Sequence, residues 1–227
     1  MKIYLSPTAI KDFMTCEKKY FYKRDYKEFE EKSVYLVIGG LVHSVVEKYW
    51  YDEEKAWEYL HKEINNNSLG EYYEKFEKSM KSLFSNFNQL LNKNDIVEYK
   101  FTYPHNTDVS IVGRIDRIVA EEYIIDWKTG YTLPKTIDTD PQALIYYEAF
   151  YRRFGKYPKD IYYIYLEQNK ILKYHYNSVY SNLLNNEIIP NMLRKIKDNS
   201  FTHTGIFTTA CNNCEMRKFC YGNLGLL

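Results

Sequence analysis

The sequence predicts an α/β fold, a central mixed β-sheet flanked by helices, and three observations support it. Apolar residues recur at helical spacing over most of the first 92 positions. Beyond residue 95 the texture changes to short runs of Val, Ile, Tyr and Phe, and a helical pattern returns from Asp140. Strands set between helical segments are covered by helices when they form one sheet. The 227 residues suffice for a single domain with a substantial core.

The elements follow in order. Ser6-Pro7-Thr8 opens a helix expected to run to about Asp25, with Ser6 as cap and Pro7 at the first helical position. After a polar link, Ile38 to Trp50 place apolar side chains at helical intervals and set His43 and Glu47 one turn apart. Segments from about 52 to 66 and 71 to 92 are rich in Glu, Lys, Leu and Phe, divided by Asn65-Asn66-Asn67-Ser68-Leu69-Gly70. They read as a helical hairpin over the substrate face. Strands are expected at about 96–104, 109–119 and 122–128. Asp140-Pro141-Gln142 starts a helix through about Arg153, and 161–167 with 171–176 form a hairpin turning at Asn169. A long helix, about 178–197, leads into a cysteine-rich C-terminal tail. The expected division is a helical insertion at about 51–94, a core at about 95–177, and a subdomain built from about 1–25 plus 178–227.

The net charge of +1 does not mark the whole chain as a polyanion binder, so such a site must come from local clustering. Lys18-Lys19-Tyr20-Phe21-Tyr22-Lys23-Arg24 interleaves rings with cations, and Arg194-Lys195-Ile196-Lys197 forms a second patch. Each reads equally as a contact for bases and phosphates or as a solvated helix face. No run reaches the roughly 18 apolar residues of a spanning helix, and the N-terminus lacks a signal-peptide core. The expectation is a cytoplasmic protein with no membrane association. Most of the 25 tyrosines fall at apolar periodic positions and are expected in the core.

Two charged residues interrupt the strand Tyr123-Ile124-Ile125-Asp126-Trp127-Lys128. Asp126 and Lys128 are two apart, so both project from one face. An odd loop centred near Glu121 would set Asp116 opposite Asp126 on that face, with Cβ atoms roughly 5 Å apart. That separation suits two carboxylates chelating one divalent cation, Mg²⁺ or Mn²⁺, with Lys128 orienting water and stabilising charge on a phosphorane. By themselves the same residues also read as an edge salt bridge of Asp116 with Arg114 or Arg117 and a strand-end lysine.

Of the four cysteines, Cys16 stands near one end and Cys211, Cys214 and Cys220 near the other. Four thiolates so placed can complete a tetrahedral Zn²⁺ site or hold a cubane iron–sulfur cluster, and spacing alone does not choose. Either would tie the two chain ends together.

The ordered set Gly39-Gly40-Leu41-Val42-His43, Gly113-Arg114-Ile115-Asp116, Ile125-Asp126-Trp127-Lys128-Thr129-Gly130 and Gln142-Ala143-Leu144-Ile145-Tyr146 resembles the RecB-like branch of the PD-(D/E)XK nucleases. The resemblance implies a restriction-endonuclease-like core. His43, Asp116 and Asp126 would bind the metal, Lys128 would be the catalytic lysine, and Gln142 and Tyr146 would lie beside the substrate strand. Glu47 would orient His43 or pair with a nearby cation. The cysteine order resembles the staple of AddB-like nucleases and CRISPR-associated Cas-four exonucleases, which implies a [4Fe-4S] cluster on Cys16, Cys211, Cys214 and Cys220. The implied activity is an exonuclease on single-stranded DNA, from 5′ ends. The alternatives are a partner-dependent DNA-end processing factor docked on the CRISPR integrase in spacer acquisition, or a non-catalytic metal-stapled DNA-binding module. The 72 residues between His43 and Asp116 leave room for a helical hairpin outside the family pattern.

Overall fold

The structure is a computed structural model that describes residues 2–26, 34–130, 132–204, 208–212 and 214–223. Residues 205–207, 213 and 224–227 of the expected C-terminal subdomain lie outside the described residues.

The chain opens with a short strand β1 (Ile3–Leu5) that the sequence pattern did not reveal, because three residues show no periodicity. Helix α1 (Pro7–Thr15) then starts as expected, the Ser6 hydroxyl accepting from Ala9 N at 3.1 Å. The expected single helix is broken in two. Cys16 adopts an extended backbone (φ −164°), closes α1, and begins α2 (Glu17–Asp25). The C-terminal region supplies what α2 needs at its start: Glu17 N donates to the Thr204 hydroxyl at 3.1 Å, and Lys18 N to the Thr202 carbonyl at 3.2 Å.

Helices α3 (Val34–Lys48), α4 (Glu53–Asn66) and α5 (Tyr73–Ser82) follow. The second arm of the predicted hairpin is irregular, starting in a 3₁₀ turn at Gly70–Tyr72 and passing through a π-type turn at Leu83–Phe87. Strands β2 (Ile96–Pro104), β3 (Val109–Val119) and β4 (Tyr123–Lys128) come next, then α6 (Pro141–Phe154), β5 (Asp160–Tyr165) and β6 (Lys170–Lys173). Asp140 caps α6 by accepting from Gln142 N at 3.0 Å, and Gly155 ends it at φ +68°. The last long helix divides into α7 (Ser178–Leu183), a π-type turn at Leu184–Ile188 and α8 (Ile189–Asp198). Pro190 has no N–H to offer the preceding turn, which accounts for the break. Short helices α9 (Thr209–Asn212) and α10 (Arg217–Asn223) complete the tail.

The sheet is mixed, in the order β1-β3-β4-β5-β6 with β2 also on β3. Parallel pairs join β1 to β3 and β4 to β5; the others are antiparallel. Strand β3 is longer than its neighbours on one edge. There β1 covers Val109–Ile111 and β4 covers Arg117–Val119, while β2 runs along the other edge. Residues 112–116 therefore face a gap between two strands, and Asp116 lies in it.

Helices cover both faces. Ile125, Trp127, Ile164 and Leu166 join a core with α3, α4 and α5, whereas Ile124, Ile161 and Tyr163 pack with residues of α1, α6 and α8. Alternation along β4 thus sends Trp127 towards the first layer and Asp126 and Lys128 towards α6. Among the described residues no helix is long and apolar enough to cross a membrane.

Candidate active site

The β3–β4 loop is odd. The register pairs Arg117 with Ile125 and Val119 with Tyr123, which centres it on Glu121, and both Ala120 and Glu121 adopt φ +52°. Extended by one step, that register sets Asp116 opposite Asp126. The ladder stops short of it, because the strands splay and side chains fill the gap: Trp127 N donates to Asp116 Oδ2 at 2.9 Å, and the Tyr146 hydroxyl donates to the Arg114 carbonyl at 2.6 Å. Two backbone groups left by the missing strand are thereby satisfied by candidate site residues.

Helix α6 presents Gln142 and Tyr146 one turn apart to β4. Gln142 Nε2 donates to Asp126 Oδ1 at 2.9 Å and to the Tyr146 hydroxyl at 2.7 Å, while Gln142 Oε1 accepts from Lys128 Nζ at 2.8 Å. The Tyr146 oxygen is also 3.2 Å from Asp126 Oδ1. Lys128 Nζ stands 2.6 Å from Asp126 Oδ2 as an ion pair, and 4.3 Å from the centre of the Tyr163 ring. The Lys128 ammonium is thus the partner of the buried Oδ2 of Asp126, as Gln142 is of Oδ1.

Helix α3 brings His43 from the other side, with Nδ1 3.6 Å from Asp116 Oδ2. Glycine makes this approach possible, since a Cβ on Gly39 would stand 2.8 Å from the Thr129 hydroxyl just beyond β4. Donor atoms of His43, Glu98 and Asp116 lie within 4.8 Å of one another. Glu98 was not singled out in the sequence. It sits on β2 where the register would face it to Asp116, its backbone is left-handed (φ +53°), and it pairs with Arg114. Such a backbone at a non-glycine residue costs on the order of 1–3 kcal/mol. Asp126 belongs to a neighbouring group of contacts, with Gln142, Tyr146 and Lys128.

The electrostatics follow from burial. The Asp126 side chain is 3% exposed and that of Asp116 10%. Burial, and then the Asp126 carboxylate, push Asp116 well above the ordinary carboxylate range. Burial also lowers His43, against an opposing pull from Asp126, which favours a neutral imidazole. Burial alone would lower Lys128; the adjacent Asp126 outweighs it, and Lys128 stays above its usual value as an ammonium. Facing acids and a neutral imidazole fit a divalent cation by their donor chemistry. Two clefts give access: one of about 390 Å³ lined by His43, Glu47, Glu98 and Arg114, and one of about 610 Å³ lined by Lys128, Gly130, Asp140 and Tyr165.

Most cations of the basic tracts are engaged in ion pairs and ring contacts within the fold. Lys19 and Lys23 both reach Asp12 and Glu215, Arg24 lies over Tyr20, Phe21 and Phe201, Lys195 pairs with Glu17, and Lys197 with Asp108. These contacts fasten the C-terminal region to α1, α2 and the start of β3. They also bring Cys16 near enough to the C-terminal cysteines to act on the Cys214 and Cys220 thiols. Burial, with Cys214, Cys16 and Cys211 pushing the same way, raises the Cys220 thiol to about 11. Four thiols so grouped cannot all ionise without a compensating positive centre, as a metal or cluster would provide.

Residues 4–221 match the family profile described as the PD-(D/E)XK nuclease superfamily. Among solved structures, a "putative exonuclease" from Eubacterium rectale superposes with TM-score 0.51 at 14% identity, covering 92% of this chain and 88% of that one, and shares the fold. A second, described as SSO0001, has TM-score 0.48 and 14% identity over 97% of this chain and 87% of that one; a likeness that distant carries no argument. No curated protein gives a significant match.

Proposed function

Because the chain belongs to the PD-(D/E)XK nuclease superfamily, we propose that it is a cation-dependent deoxyribonuclease, an exonuclease that hydrolyses single-stranded DNA from 5′ ends. The observation that supports it most is the meeting of Asp116, Asp126 and Lys128 at the splayed ends of β3 and β4, with Gln142 bonded to both members of the Asp-x-Lys pair.

His43, Asp116 and Asp126 would hold Mg²⁺ or Mn²⁺. When bound, the cation supplies a Lewis acid for the phosphodiester and lowers the pKa of a water. The protein's own groups do the rest. Lys128, kept protonated by Asp126, directs an N–H towards the attacking water or a non-bridging phosphate oxygen and offsets charge on the phosphorane. Gln142 holds the Lys128 ammonium and the Asp126 carboxylate at fixed positions. Tyr146, whose hydroxyl burial and the two acids keep un-ionised, anchors Gln142 to the Arg114 carbonyl. The second cleft, beside Lys128, offers the DNA strand a path past the lysine.

Cys16, Cys211, Cys214 and Cys220 would carry a [4Fe-4S] cluster in preference to Zn²⁺, as in the Cas-four type with one N-terminal and three C-terminal cysteines. The role is structural. It adds a covalent tie where Glu17, Thr202 and Lys195 already join the two chain ends. The intact acid and lysine set favours an enzyme over a non-catalytic DNA-binding module, and a role in CRISPR spacer acquisition remains the partner-dependent form of the same chemistry.

The test is cleavage of single- and double-stranded DNA labelled at either end, with Mg²⁺, Mn²⁺ or chelator. Short products appearing first from the 5′ label on single strands are expected; internal nicking or preference for duplex would overturn the exonuclease assignment. Visible absorption with iron analysis after anaerobic purification tests the cluster, and a colourless zinc protein would reverse it.

A further inference from the structure

Two glycines stand side by side on α3, and the fold accounts for only one of them. Packing of α3 against the end of β4 requires Gly39, where a Cβ would meet the Thr129 hydroxyl at 2.8 Å. At Gly40 no atom of the described residues lies within 4 Å of the place a Cβ would take. Gly40 lies in the interior of α3, where glycine destabilises a helix relative to alanine, and neither a close contact nor a left-handed backbone offsets that cost. The open space beside it is the cleft that leads to the candidate cation site. Gly40 lines this cleft about one helical turn before His43 and two before Glu47, together with Glu98 and Arg114 from the sheet. A turn earlier, α3 contributes Tyr35 and Leu36 to the same cleft, large side chains left 62% and 66% exposed. The nearest part of the second cleft is continuous in sequence with the first, since Thr129 lines one and Lys128 and Gly130 the other.

We infer that Gly40 forms the floor of the channel along which an unpaired DNA strand reaches the candidate cation site, and that Tyr35 stacks on a base at its mouth. The inference rests on the nuclease reading and names the residues that restrict it to single strands. A side chain at position 40 would stand in the path of the sugar–phosphate backbone, whereas glycine lets that backbone approach the helix. Arg114, on the opposite wall, is placed to meet a phosphate. At the inner end the walls close to 3.6 Å between His43 Nδ1 and Asp116 Oδ2, so a base pair cannot follow the strand in. An exposed ring at the mouth holds an unpaired base whatever its identity, because every base offers a flat face.

Fluorescence anisotropy of a labelled oligothymidylate in Ca²⁺ reads strand binding, thermal melting reads the fold, and cleavage in Mn²⁺ reads the nuclease. Gly40→Ala is expected to melt higher than wild type and yet bind the oligonucleotide severalfold more weakly. Gly40→Leu is expected to weaken binding by at least about 10-fold, with Mn²⁺ affinity by calorimetry unchanged in both variants. Tyr35→Ala is expected to lose about 10-fold, and Tyr35→Phe to retain wild-type binding, since stacking needs the ring and not the hydroxyl. A lower melting temperature in Gly40→Ala would return the glycine to the fold and overturn the inference. Wild-type binding in Gly40→Leu and Tyr35→Ala would overturn it too, and Mn²⁺-dependent cleavage by wild type would then leave the nuclease reading intact. If the variants lose binding as expected but wild type cleaves no DNA with Mn²⁺ or Mg²⁺, the channel stands and the nuclease reading falls.

Discussion

Gln142 Nε2 donates to Asp126 Oδ1 across 2.9 Å, so an amide on α6 fixes the orientation of an acid on β4. The remaining hydrogen-bonding positions of that amide serve Lys128 and Tyr146. Replacing Gln142 with Ala frees three groups at once and should lower kcat by about 10- to 100-fold with the fold retained. Tyr146→Phe leaves the Arg114 carbonyl without its donor and should cost about 1–3 kcal/mol of stability. Steady-state cleavage and urea denaturation of the two variants measure these separately; a fully active Gln142→Ala would dismiss the positioning role.

Asp116 is raised by burial and by Asp126, so the folded state binds a proton that the unfolded chain releases. Stability without metal must then fall as pH rises from the ordinary carboxylate range towards the folded value. Asp116→Asn removes this penalty. At pH 8 without metal the variant should be more stable than wild type by on the order of 1 kcal/mol, and the difference should vanish near pH 4. Added Mn²⁺ should stabilise wild type only. Thermal melts across pH would contradict this if the variant melts lower at pH 8 without metal.

Arg117 is 1% exposed, lies 3.8 Å from Asp95 and has its guanidinium 5.1 Å from the Trp50 ring. Removing the acid strands a charge in the interior, so Asp95→Ala should destabilise by about 3–5 kcal/mol. A loss under 1 kcal/mol in urea titration, on the order of a solvated surface pair, would show that water reaches Arg117.

The turn at Ala120 and Glu121 holds two non-glycine residues in the left-handed region. Glu121→Gly should therefore raise stability by about 0.5–1 kcal/mol without affecting cleavage. A lower melting temperature would mean that Glu121 makes an interaction worth more than its strain.

Much of the architecture was legible because local chemistry agreed with tertiary structure. Strands 96–104 and 109–119 and the Asp140-capped start of α6 appear with the expected bounds. The splay between β3 and β4 was not legible, since it arises from β1 sharing an edge of β3 with β4, and β1 is too short for its pattern to register. The break at Cys16 escaped for a similar reason: α2 takes its N-terminal partners from Thr202 and Thr204, nearly two hundred positions away. In the candidate site, the proximity of Asp116 to Asp126 followed from loop parity alone. Glu98 did not, because relating it to Asp116 requires knowing the β2–β3 register, and a charged residue in a strand edge pattern gives no warning of a left-handed backbone. The basic tracts read as either a DNA contact or a solvated face; that Lys19, Lys23, Arg24, Lys195 and Lys197 pair with acids of the fold was not legible, because most of those acids are distant in sequence.

The most direct test of the central claim is release of acid-soluble nucleotide from single-stranded DNA by wild-type protein and by Asp126→Asn, each in Mn²⁺ and in excess chelator. Cleavage should occur only in wild type with Mn²⁺, and the substitution should reduce it by at least about 100-fold. Equal cleavage by Asp126→Asn, or cleavage that persists in chelator, would contradict a cation-dependent site built on Asp116, Asp126 and Lys128.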